Sequence, residues 1–179
     1  VAAVIGVHRS DRHGFSKPSV DRIELVAGVG VLGDVHAGAV VKHRSRVAAD
    51  PQAPNLRQVH LIAAELFHVL AAAGHRVGPG DLGENVTTSG IDLHGLSVGS
   101  VLRLGDEALV AVTGLRNPCA QIDAFRPGVL ALVRSRDRDG VWLRRAGIMG
   151  VVVHGGLVAA GDPIEVSAPP GPLRPLDRV

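Results

Sequence analysis

Among the 179 residues stands a single cysteine, Cys119, in the stretch LRNPCAQIDAF (115–125). A cysteine anion attacks electrophiles or ligates soft metals, so the question is what would favour the anion. Asn117 is a favoured helix N-cap, and Pro118 suits the first helical position, where its missing N–H costs nothing. This spacing predicts a short helix from Asn117, with Cys119 second, near unsatisfied amide donors and the positive end of the dipole. Arg116 adds a cation. Each effect favours thiolate. The same residues fit a small buried hydrophobe equally well, and the nine histidines lie at spacings that single out no catalytic partner.

Two glycine-rich stretches also carry chemistry-bearing residues. GDLGENVTT (80–88) places Gly83, Glu84, Asn85, Thr87 and Thr88 in one loop, where backbone amides and side-chain donors cradle a phosphate. Arg57 adds a guanidinium at the start of the next apolar strand upstream. The plain alternative is a turn followed by a strand. GDVHAG (33–38) sets Asp34 and His36 two apart, on one face if the segment is extended, to orient a substrate or touch a cofactor. The alternative there is a turn with a surface histidine. His60 and His68 read as structural, and His94 and His154, each beside a glycine, as turn or rim residues.

The elements that must position these groups are mostly strands. VAAVIGVHRS (1–10), DRIELVAG (21–28), LRQVHLI (56–62), EALVAVTGL (107–115) and LVAAGDPIEVSAP (157–169) carry strand-like runs or alternation. The polar HRSDRHGFSKPSV (8–20) and the long segment 29–55 read as loops. AAELFHVLAAAG (63–74) reads as a helix closed by Gly74, and PGVLALVRSR (127–136) as a second helix opened by proline. Asp139-Gly140 is a hairpin signal. Short strands, frequent turns and few helices give a mainly β fold with inserted helices (α+β), a barrel or sandwich. One domain over 1–167 and a proline-rich, surface-lying tail over 168–179 are expected.

Composition narrows the partners. With three Phe, one Trp and no Tyr, platforms for stacking bases are nearly absent. The net charge is +2, and HRSR (43–46), RSRDR (134–138) and Arg144-Arg145 read as solvated loop and turn charges rather than a stripe for duplex nucleic acid. One cysteine allows no internal disulfide, which fits a reducing cytosol. No leader-like or bilayer-length apolar run is found, so a cytoplasmic protein without a membrane partner is expected.

GVLGDVHAG (30–38), RQVHLIAAE (57–65), GDLGENVTTSGIDL (80–93), VGSVLRLGDEALVAVTGLRNPCAQI (98–122) and GIMGVVVHGGLVAAGDPIEV (147–166) together resemble the MOSC domain, named for the C-terminal region of molybdenum cofactor sulfurase, and most of all its small bacterial members. The resemblance implies a β-barrel core and a functional cysteine at Cys119. It implies molybdenum–molybdopterin as cofactor, with Cys119 as metal ligand and catalytic centre. Arg57, Gly83, Glu84, Asn85, Thr87, Thr88, Arg116, Asp34 and His36 would be the cofactor-binding residues. Pyridoxal phosphate is not expected. The activity implied is reduction of N-hydroxylated small molecules, with electrons from a separate redox partner. Other members are proposed sulfur carriers, which would put a persulfide on Cys119. A non-catalytic module binding a pterin or another anion is the third reading.

Overall fold

Strands that bury one face alternate, and strands covered on both faces run apolar throughout. Both patterns occur in the computed structural model of the chain, which describes residues 1–41 and 44–179. In chain order the elements are β1 (Ala3–His8), β2 (Ser19–Val20), β3 (Arg22–Val26), β4 (Gly30–Val31), α1 (Arg44–Ala49), β5 (Val59–Ala63), α2 (Glu65–Ala72) and β6 (Val86–Ser89). A 3-10 turn (Leu93–Gly95), β7 (Val101–Leu104), β8 (Ala108–Leu115), α3 (Gln121–Phe125) and α4 (Val129–Val133) follow. The chain closes with β9 (Arg134–Arg136), β10 (Trp142–Arg144), β11 (Ile148–His154), β12 (Gly156–Ala159) and β13 (Ile164–Ser167).

Eight strands form the main sheet in the order β13-β7-β8-β11-β5-β6-β1-β2, beside a three-stranded sheet β12-β3-β4 and the hairpin β9–β10. β8 alternates strictly between buried and half-buried residues, whereas β5, covered on both faces, is buried along nearly its whole length. β5 and β6 run parallel, and α2 lies within the crossover that parallel strands require. One face of the sheet packs Val59, Leu61, Val86, Val110, Ile148 and their neighbours into the larger core. The period of two sends Ile62 to the other face, where α2, α3 and α4 cover it with Phe67, Leu70, Ile122, Val129 and Val133. Each fully buried aliphatic side chain is worth about 1.5–3 kcal/mol, so the helices are held by this second core more than by their own short ladders.

The mainly β architecture matches the expectation, but the closed barrel does not form among the described residues. Backbone bonds join Val4 to Asp162 and Gly161, and Ile164 to Ala2, so the two ends of the sheet approach through a single bridge without a strand ladder. Three local expectations also change. α4 stops at Val133, because Arg134–Arg136 gain ladder bonds to Trp142–Arg144 across a turn in which Asp137 Oδ1 accepts the N–H groups of Asp139 and Val141. The stretch 43–46 is not simply a loop: α1 begins at Arg44, while His43 lies outside the described residues. The expected helix at Asn117 is delayed to Gln121. The tail crosses the sheet end with bridges from Pro175 to Ser97 and from Arg178 to Leu115. No helix among the described residues is long and apolar enough to cross a membrane.

Candidate functional site

A cleft of about 670 Å³ opens on the helix-bearing side of the sheet. Its floor is His60, on β5, and Met149, directly opposite on β11. Their neighbours Leu61 and Ile148 point the other way into the larger core, so alternation itself supplies the floor. The walls are loops. Arg116, Asn117, Cys119 and Gln121 come from the β8–α3 connection, Gly83 and Asn85 from the approach to β6, and Lys17 and His36 from the two long early loops. Arg57 enters just ahead of β5.

Arg116 stays in the sheet rather than starting a helix, because its N–H donates to the carbonyl of Gly147 and prolongs the β8–β11 ladder. Asn117 therefore does not cap. The Cys119 carbonyl accepts from Ile122 N–H, and Ala120, with helical torsions, caps the helix without a side-chain bond. Cys119 thus lies at the entry of a five-residue helix, half-buried, with its thiol 3.6 Å from Gln121 Oε1.

Four cations line the cleft, Lys17, Arg46, Arg57 and Arg116, and among the described residues no carboxylate does. Lys17 is spoken for by Asp34, whose two oxygens each lie 3.0 Å from its ammonium. Two of the guanidinium groups are only partly engaged. Arg57 Nε and Arg116 Nη1 are buried with no hydrogen-bond partner among the described residues. Burial, and then the charges of Arg46 and Arg116, bring Arg57 down to about 10. Burial likewise lowers Arg116, against the opposing pull of Cys119 and Glu84. Unpaired buried cations are costly, and here they share one concavity with the only thiol.

Of the expected residues, Cys119, Arg57, Arg116, Gly83, Asn85 and His36 meet at the cleft, whereas Glu84, Thr87, Thr88 and Asp34 are buried and do not line it. Glu84 Oε1 accepts from Gly80 N–H and Thr87 Oγ1, Thr87 Oγ1 contacts His8 Nε2 at 3.0 Å, and Thr88 Oγ1 reaches the Ile62 carbonyl. Burial raises the Glu84 carboxyl above its ordinary range. Asn85 is a staple: its amide donates to the His8 carbonyl at 3.2 Å and its oxygen accepts the N–H of His60. Asp34 and His36 do lie together, but in a turn. Asp34 Oδ2 accepts the N–H of His36 and sits 3.4 Å from its Nδ1.

His60 keeps the buried, backbone-bonded setting of a structural histidine and also faces the cleft. Its Nε2 lies 2.8 Å from the Ala146 carbonyl, while burial holds its pKa well below the ordinary value. The signal was a lone polar residue in an otherwise apolar strand, VHLI. Lys17, in FSKPSV, reads as an ordinary loop charge; its value comes only from the pairing with Asp34.

Comparison with known proteins follows the same lines. The MOSC domain model matches residues 33–165. The fold is similar to that of the YuaD protein of Bacillus subtilis, 27% identical, with a TM-score of 0.74 over 94% of this chain and 97% of that one. It is also similar in fold to YiiM of Escherichia coli (21% identity, TM-score 0.62, 96% of this chain and 72% of that one). YiiM of Geobacillus stearothermophilus is similar at 17% identity and a TM-score of 0.60, over 93% and 75% of the two chains. No curated protein matches the sequence.

Proposed function

The chain belongs to the MOSC domain family, and from that premise we propose that its Cys119 cleft holds a molybdenum–pterin cofactor and reduces N-hydroxylated small molecules. The observation that carries this reading is the meeting of two under-partnered guanidinium groups, Arg57 and Arg116, with the only thiol of the sequence in a cleft lined, among the described residues, by no carboxylate. The residues fit such a group. The volume suits a cofactor, and the surplus cations suit a phosphate. Among the described residues no cluster of three His, Cys, Asp or Glu could hold a metal alone, so a metal here would arrive with most of its own ligands and take one soft donor, Cys119 Sγ.

When bound, the cofactor supplies two-electron redox chemistry at a metal. The overall reaction is R–NHOH + 2H⁺ + 2e⁻ → R–NH₂ + H₂O. The chain's own residues do the rest. Arg57 and Arg116 hold the anionic end of the cofactor, and Gly83, whose missing Cβ makes room for the Phe15 carbonyl, lets the loop that carries Lys17 close against the cleft wall. Asp34, fixed by Lys17, engages His36 Nδ1, which leaves Nε2 as the nitrogen that delivers a proton to the departing hydroxyl. Met149 and Leu82 give the cleft an apolar patch that keeps water from competing for the substrate.

Protein produced in a host that makes the cofactor tests this, with metal content and pterin fluorescence measured for wild type and Cys119→Ala. Wild type carries molybdenum and pterin in near-equal amounts under the proposal. Molybdenum no higher than in the variant would sink it. The half-exposed thiol, whose one side-chain bond among the described residues is to Gln121, also suits a second reading, a sulfur carrier with a persulfide on Cys119. Mass spectrometry after incubation with a cysteine desulfurase and cysteine would then show one added sulfur, lost in Cys119→Ala.

A further inference from the structure

The arginines of RSRDR and of Arg144-Arg145 read in sequence as scattered solvated charges. The fold collects them on and beside one hairpin, β9–β10. At its centre is Trp142, the only tryptophan in the chain and 41% exposed. The guanidinium of Arg136 lies 4.3 Å from the ring centroid and that of Arg134 5.7 Å. Arg136, Arg138 and Arg145 are exposed, and Val141 extends the apolar surface beside the ring. From Arg134 to Arg145 five arginines stand against two aspartates, a net charge of +3. Of the two, Asp137 is engaged in holding the turn. Arg144 has an acidic neighbour, Asp177, at 3.8 Å. The hairpin is also fastened to the site: Arg134 Nη1 donates to the carbonyl of Pro118, the residue before Cys119, at 3.4 Å.

We propose that this hairpin is the docking surface for an acidic electron-carrier protein serving the Cys119 cleft, an inference that rests on the reductase reading. The reduction consumes two electrons per amine formed, and a chain with one cysteine cannot hold a four-cysteine cluster of its own. The carrier is therefore oxidised by two electrons per turnover, in two visits if it carries one at a time, while two protons from solvent complete the amine and the water. A basic patch steers and registers an acidic partner, and an exposed Trp flanked by Arg is the composition of an interface anchor. A nucleic acid fits less well. Guanidinium groups already cover the ring, and the hairpin has no second aromatic to continue a stack.

Because Trp142 is unique, its emission reports on this hairpin. The probe is an acidic plant-type ferredoxin, with a single-stranded RNA dodecamer as the competing class. Saturable quenching by ferredoxin is expected, weakening about tenfold or more between about 50 and about 300 mM salt. Arg136→Glu/Arg138→Glu, and Arg138→Glu/Arg145→Glu, which spares the arginines stacked on the ring, should each weaken it about tenfold and lower ferredoxin-driven turnover in proportion. Turnover driven by reduced methyl viologen, which needs no protein surface, should stay unchanged. Quenching unaltered by the charge reversals, or tighter binding of RNA than of ferredoxin, overturns the surface. Absence of viologen-driven turnover with salt-dependent docking intact overturns the reductase reading and leaves the surface supported.

Discussion

Lys17 and Asp34 form an ion pair sealed from solvent: their side chains are 4% and 2% exposed, and the ammonium lies 3.0 Å from each carboxylate oxygen. Burial pushes the Asp34 carboxyl up, but bonds from His36 and the Lys17 charge outweigh it and hold the group well below the ordinary carboxylate range. Burial pulls Lys17 the other way, below its ordinary value, despite the pull of Asp34. The pair stays charged because Asp34 also takes the N–H groups of Ser10 and His36. It ties two long loops together beneath the cleft and removes Lys17 from its free charge, so the surplus falls on the arginines.

Breaking this pair from one side should be expensive. Lys17→Met leaves a buried carboxylate without its cation, and urea unfolding is expected to show a loss of about 3–5 kcal/mol. The double change Lys17→Met/Asp34→Leu should recover part of that loss, because no charge is then stranded. A single-variant loss below about 1 kcal/mol would mean that the pair is solvated and does not organise the cleft.

His8 gives the fold a pH dependence of definite sign. Burial first, and then the Lys17 charge, lower its pKa from 6.5 to about 4. Between those values the unfolded chain binds a proton that the folded chain refuses, so stability is full above pH 6.5 and falls as pH drops toward 4. The loss on reaching pH 4 should be about 3 kcal/mol. Glu84, raised by burial, works with opposite slope above the ordinary carboxylate range, so the quantity to measure is wild type minus His8→Gln. Parallel stability curves for the two proteins across that window would contradict the burial of a neutral ring.

The strands were legible because apolar alternation survives into the structure, as along β8 and β3. The helix start was not. Asn117-Pro118 satisfies every local cap rule, yet the ladder bond from Arg116 to Gly147 holds the chain at the sheet, and the helix begins only at Gln121. Local capping is worth about 1 kcal/mol, too little to displace a sheet edge. In the site, Cys119, Arg57 and Arg116 were found by residue type. Lys17 and His60 were not, because their roles depend on contacts across 17 and 86 residues, to Asp34 and Ala146, that no spacing rule encodes. Thr87 and Glu84 were placed in a ligand loop, but they form an internal network with His8, as buried polar groups do when they can pair among themselves.

Gly83 should resist substitution for two separable reasons. Its φ is +83°, and a Cβ there would run into the carbonyl oxygen of Phe15, in the loop that carries Lys17. Gly28 has a similar φ of +72° with nothing near a built Cβ. Gly28→Ala is expected to cost about 1 kcal/mol, from backbone strain alone. Gly83→Ala should cost about 2 kcal/mol or more. The comparison isolates the steric share, and equal losses would show that the Phe15 loop yields freely.

Arg116 should trade stability for binding. It is 8% exposed, its Nη1 has no hydrogen-bond partner among the described residues, and Phe15 stacks 5.7 Å from its guanidinium carbon. In the ligand-free protein such a charge is a burden, so Arg116→Met, similar in reach and able to pack on Phe15, should leave stability unchanged or raise it by about 1–2 kcal/mol. Affinity for an anionic probe, pyrophosphate followed by calorimetry, should fall about tenfold or more, since a charge-assisted bond from a desolvated donor is lost. His94→Asn, outside the cleft, should leave that affinity unchanged. A marked destabilisation of Arg116→Met with pyrophosphate binding intact would mean that the guanidinium serves the fold, its charge answered from within the protein, and that the anion site lies elsewhere. The opposite outcome, a stabler protein that no longer binds, is what a residue kept for its ligand must give.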